Sequence, residues 1–174
     1  MKTNVLFNKE NLFVIFLFLF SLLFNQYYGN QGIFPPDSFA NFDTGFRILI
    51  GEYPFKDYWL VSGPLGDYLQ ALFFYLFGVN WQSYILQASF INAVLTITTF
   101  IVFIIFELNI YYSFIYSLLF SVLAYPSSGT PFVDHHSALF SLLGIYFLIL
   151  ALREEKKLYW ILLPIFLDLH FFQN

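Results

Sequence analysis

Long runs without a charged residue dominate this chain and restrict what it can fold into. The stretch from Asn11 to Tyr28 has none, and neither do Ser83 to Phe106, Ile110 to Tyr125 and Ser137 to Leu152. A helix needs ~20 apolar residues to cross the hydrocarbon core of a bilayer, with a working range of ~17–25. The composition agrees with the runs. The chain is 59% hydrophobic and only 10% charged, whereas soluble domains carry roughly 25% charge. The expected fold is therefore all-α, a polytopic transmembrane helix bundle forming a single membrane domain over residues 1–174. Spans are expected at about 11–28, 83–106, 110–125, 137–152 and 158–172.

Other classes are set aside on composition. The net charge of −4, with no basic cluster beyond the mixed-sign "REEKK", argues against a nucleic-acid partner. Without cysteine there is neither a disulfide framework nor a thiolate metal site. After the first apolar run, "NQYYGNQG" lacks a small-x-small cleavage site, so a retained first span is expected rather than a removed signal peptide.

One segment reads two ways. "PLGDYLQALFFYLF", Pro64 to Phe77, is apolar but would make a helix of only ~21 Å, and it carries Asp67 and Gln70. The seven basic residues choose between a span and an interfacial helix. If the segment does not span, five of them (Lys2, Lys9, Arg153, Lys156, Lys157) share the N-terminal side and two (Arg47, Lys56) take the other. The positive-inside rule then puts the N-terminus in the cytoplasm. The loop at 29–78 and the later "PSSGTPFVDHH" both lie on the outer face.

That outer loop holds four of the eleven acidic residues: Asp37, Asp43, Glu52 and Asp57. Pro35-Pro36 followed by Asp37 reads as a helix start with Asp37 at the N-cap. Phe39, Phe42, Phe46, Leu49 and Ile50 recur at helical spacing, which suggests an amphipathic helix lying flat with its phenylalanines in the membrane and its polar face in water. Asp43 and Arg47 are four apart and can pair. Glu52 is expected in solvent, and Asp67 as a helix-start residue. Asp57 sits among interfacial aromatics. In the second loop Asp134, His135 and His136 precede an apolar run. Helix capping, contact with substrate or phosphate, and a metal are all open for them, although adjacent residues on a helix point about 100° apart. Asp168 and His170 lie in the last apolar run.

The order "D-S-F-A-N-F-D-T-G-F-R-I-L-I-G-E-Y-P-F-K-D-Y-W", then "G-P-L-G-D-Y-L" and "F-G", resembles the first outer loop of GT-C membrane glycosyltransferases. The nearest likeness is to the bacterial group of aminoarabinose transferases and protein mannosyltransferases. Phe55 replaces a usual tyrosine, and "DHHSALFSLLGIYFLIL" is similar to the part that follows. The resemblance implies an enzyme of the cell envelope, held in a bacterial cytoplasmic membrane. It would transfer a sugar from a polyprenyl-phosphate donor to a glycan, lipid or protein acceptor. Asp37 is then the catalytic base, and Asp57 a second acidic position that orients the acceptor or a cation. Asp134, His135 and His136 are the remaining candidate substrate-binding residues. The resemblance fixes no cofactor, a divalent cation is compatible, and membrane lipids are the surroundings. Members are commonly several times longer, so this chain reads as an N-terminal portion that can lack activity alone. A small non-catalytic multi-span protein, either a transporter fragment or an assembly subunit, is the alternative.

Overall fold

The computed structural model describes residues 9–32, 39–60, 62–124 and 129–173. Among these are seven helices and no strand: α1 (Lys9–Gly29), α2 (Ala40–Leu49), α3 (Leu65–Phe77), α4 (Trp81–Ile105), α5 (Ile110–Leu123), α6 (Val133–Glu154) and α7 (Lys157–Gln173). Helices α1, α4 and α6 are long and apolar enough to cross a membrane, with 21, 25 and 22 residues. At ~1.5 Å per residue each exceeds the ~30 Å of a hydrocarbon core. The runs expected to span at 110–125 and 158–172 form α5 and α7, which are shorter at 14 and 17 residues.

Side-chain contacts define two ends of the bundle. At one end the indole Nε1 of Trp81 donates to the Gly29 carbonyl at 3.1 Å, Gln82 donates to Asn30 at 2.9 Å, and Asn25 donates to the Gly129 carbonyl at 3.0 Å. At the other, Arg153 pairs with Glu107 at 3.0 Å and covers the Phe106 ring, and Phe13 meets Tyr111. The finish of α1 and the start of α4 thus lie side by side. Residues 30–80 leave and return at the same end, and α3, with its 13 residues, does not traverse the bundle. The second loop, entering α6, joins them there.

A polar seam fastens the long helices. The buried residues of α1 are Leu17, Ser21, Asn25 and Gly29, one face at four-residue spacing. Asn25 donates to Ser89 at 2.9 Å, and Thr96 reaches Ser21 at 3.3 Å. On α5, Ser113, Ser117 and Ser121 form a second buried stripe, with Asn92 donating to the Ser121 carbonyl at 2.9 Å. Small residues let helices approach closely where lipid offers no hydrophobic drive, and each inter-helix bond adds ~0.6 kcal/mol on average. Asn92 and Thr96 lie well inside α4, engaged in helix contacts. Leu139, Phe140 and Leu143 of α6 pack on Ala88 and Leu95 of α4, with α3 and α7 closing over them.

Helix α2 departs from the expectation that its phenylalanines all face the membrane. Its buried residues are Asn41 and Gly45. A Cβ on Gly45 would come within 2.8 Å of Gln70 Cγ, so glycine lets α2 press against α3. Phe42 packs edge-on against Phe74 and Tyr84, while Phe39, Phe46 and Ile50 stay exposed. The apolar stripe is therefore divided between protein and surroundings. Phe39 occupies the N-cap position of α2 with no side-chain cap bond, and Asp37, where the cap was expected, lies outside the described residues.

Candidate functional site

Helices α2 and α3, the 59–62 segment and the start of α6 enclose a cavity of about 500 Å³ at the end of the bundle where Gly29 and Trp81 meet. Its lining includes Ala40, Asn41 and Thr44 from α2, Trp59, Leu60 and Ser62 from the connecting segment, Asp67 from α3, and Pro131 to Asp134 from the second loop. Ligand pockets commonly measure ~300–1,000 Å³ and combine apolar walls with a few polar groups.

Asp67 is the most unusual group in it. The residue is only 4% exposed, and its Oδ1 makes a hydrogen bond with the Thr44 hydroxyl. Burial pushes its carboxyl up to about 6, and the Thr44 contact partly opposes the shift. A helix-start role was expected, but α3 opens on Pro64 with no side-chain cap bond, and Asp67 faces inward from the first turn. One signal could have found it: an acid within an apolar run is a functional suspect by default. Asn41, 5% exposed on α2, lines the same wall, and its Nδ2 has no hydrogen-bond partner.

The expected site residues separate. Asp37 lies outside the described residues, three positions before the cavity residue Ala40. Asp134 lines the cavity. Asp57 does not. It is exposed, and its carboxylate accepts from the Tyr53 backbone N–H at 2.8 Å, closing the turn that holds Phe55 at φ 64°. The Tyr58 hydroxyl then ties this turn to the Thr44 carbonyl at 3.4 Å. His135 and His136 fall in the first turn of α6 and diverge. His136 is fully buried beside Phe140, and His135 packs near Phe132. Among the described residues no group of three His, Cys, Asp or Glu side chains could hold a metal ion. Arg47 pairs with Asp43 at 2.7 Å, as its spacing implied, and also with Glu52 at 3.1 Å. Glu52 is therefore an ion-pair partner rather than simply solvated.

The raised Asp67 carboxyl has a consequence for stability. Between its ordinary value of 3.8 and about 6, the folded chain holds a proton that the unfolded chain releases. Stability contributed by this group is full below that window and is lost as pH rises through it. Asp67→Asn, which carries no charge, is expected to stabilise the protein at neutral pH by on the order of 3 kcal/mol, and to leave it nearly unchanged at about pH 4. Unfolding in mixed micelles at both pH values checks this.

No protein-family model and no curated protein matches this chain.

Proposed function

We propose that this chain is a membrane glycosyltransferase, or the N-terminal portion of one, working on a polyprenyl-phosphate sugar donor at the outer face of a bacterial cytoplasmic membrane. What supports the reading, beside the motif resemblance, is one observation: an acid-lined cavity at a single end of an apolar helix bundle, its lining beginning three residues after Asp37. Donor phosphates sit at headgroup depth, and a base must come within ~3 Å of the hydroxyl it activates. In the reaction the acceptor oxygen bonds to the anomeric carbon as the bond from that carbon to the phosphate oxygen breaks. The acceptor proton passes to Asp37, and inverted product and lipid phosphate result.

Charge supports the orientation. Lys9, Arg153, Lys156 and Lys157 belong to the end opposite the cavity, and Arg47 and Lys56 to the cavity end. The positive-inside rule then puts the cavity outside and the N-terminus in the cytoplasm. A transporter would set its polar groups around a mid-membrane site. Here Asn92 and Thr96, two of the buried polar residues well inside α4, make helix contacts.

The test is transfer itself. Membranes containing the protein, supplied with sugar-loaded polyprenyl phosphate, should yield glycosylated acceptor and free lipid phosphate. Donor consumption no faster than in control membranes would count against the reading.

A further inference from the structure

Thr44 is asked to donate twice. Its Oγ1 lies 2.9 Å from the Ala40 carbonyl oxygen and also in hydrogen-bond contact with Asp67 Oδ1. A hydroxyl has one hydrogen, and a carbonyl and an ionised carboxylate can only accept. Donated to an ionised Asp67, the Thr44 hydrogen stabilises the carboxylate but leaves the Ala40 contact unmade, so both contacts are satisfied together only when Asp67 carries the proton and donates to Thr44 while Thr44 donates to Ala40. The described cavity wall is also without a basic side chain. No Lys or Arg lines it among the described residues, and residues 33–38, 61 and 125–128 include none. Arg47, the base on α2, is held by Asp43 and Glu52. Among the described side chains on the wall, negative charge on a ligand there meets neutral donors, and Asn41 offers a second one, its Nδ2 unpartnered.

We propose that Asp67 is a catalytic acid of this cavity, donating its proton to a phosphate oxygen of a prenyl phosphate bound there. This rests on the transferase reading. As the carbon–oxygen bond to phosphate breaks, its electron pair stays on the phosphate oxygen, which takes the Asp67 proton. The acceptor hydroxyl gives its own proton to Asp37, so one proton enters a carboxylate as another leaves, and exchange with water resets the pair. Protonation keeps the departing lipid phosphate from becoming a dianion in a cavity with no Lys or Arg on its described wall.

Other titratable groups stand nearby. Tyr58 and Tyr84 interact with Asp67 and Tyr68 with Tyr58, Asp134 lies on the α6 side with His135 and His136 after it, the Asp43–Arg47–Glu52 group is on α2, and α7, which packs on α3, carries an exposed Asp168. Comparison with Asp67→Asn subtracts their titration and that of the phosphate. In lipid nanodiscs, infrared spectra of the intact chain should contain a protonated-carboxyl band that disappears with a midpoint near 6 and is missing in Asp67→Asn. Thr44→Val, which removes the relay hydroxyl, should shift the same band. Absence of any band assignable to Asp67 overturns the proposal.

Calorimetry with a short-chain prenyl phosphate gives the second arm. Between about pH 5 and pH 7 the protonated fraction falls about tenfold, so wild-type affinity should fall about tenfold more than that of Asp67→Asn. Equal pH dependence in the two proteins overturns the contact, and inorganic phosphate binding as tightly as the prenyl phosphate overturns the lipid ligand. In the transfer assay, kcat should fall on the alkaline side in the wild type, and Asp67→Asn should be slow at every pH with little change in KM. Transfer with an unaltered profile in Asp67→Asn removes the acid and leaves the transferase reading intact. Asp67-dependent phosphate binding without any transfer removes the transferase reading and the catalytic role together, and only the contact remains.

Discussion

Asp37→Asn is expected to lower sugar transfer by about 10²- to 10⁴-fold, the range a positioned general base contributes, while the protein still inserts and folds. Asparagine keeps the size and hydrogen-bonding shape of the side chain but cannot take a proton from the acceptor hydroxyl. The loss should appear in kcat, with donor binding retained, because the proton moves only as the acceptor attacks. Transfer assays and membrane fractionation on the same preparations check both halves. Unchanged transfer would remove Asp37 from the reaction. Among the described acids that would leave Asp67 and Asp134 on the cavity wall.

The second large effect is structural. Gly129 has φ +62°, and a Cβ there would lie 2.5 Å from the Gly29 nitrogen and 2.6 Å from its Cα. Backbone atoms cannot swing aside as the end of a side chain can. Gly129→Val combines a left-handed β-branched residue with a clash between the second loop and the end of α1, and is expected to cost about 2–5 kcal/mol. It should also pull the start of α6, and Asp134 with it, away from the cavity. Gly32→Ala, with nothing within 4 Å of its Cβ, is the matched control, expected within about 0.5 kcal/mol of wild type. Unfolding in mixed micelles measures both.

What could be read in advance follows from what local pattern encodes. The long apolar runs and their polar breaks gave α1, α4 and α6 within a few residues, and Gly78, at φ +83°, ends α3 where the sequence suggested. The Asp43–Arg47 pair followed from spacing alone. The misreadings of α2 and Asp67 share a cause, which is contact between segments distant in the chain. Periodicity assigned α2 a lipid-facing stripe because it counts phenylalanines. The contact that orients α2 is made by Gly45 against Gln70, and a glycine adds nothing to an apolar pattern. Asp67 looked like an ordinary first-turn acid until α2 placed Thr44 over it. Asp57, singled out by motif, is used by its own turn. The serine stripe of α5 and the Asn25–Ser89 bond were present in the sequence as four-residue repeats of small and polar residues. Only the packing of α1 against α4 and α5 gives them meaning.

The central claim is that the cavity and its acids open on the outer surface of the membrane. The chain has no cysteine, so single replacements report position without background. The decisive measurement is labelling of Asp57→Cys, Asp134→Cys and Glu155→Cys by a membrane-impermeant maleimide in intact cells. Positions 57 and 134 should label at once, and position 155 only after the cells are permeabilised. Labelling of 155 in intact cells, with 57 and 134 protected, would turn the cavity toward the cytoplasm and contradict the account.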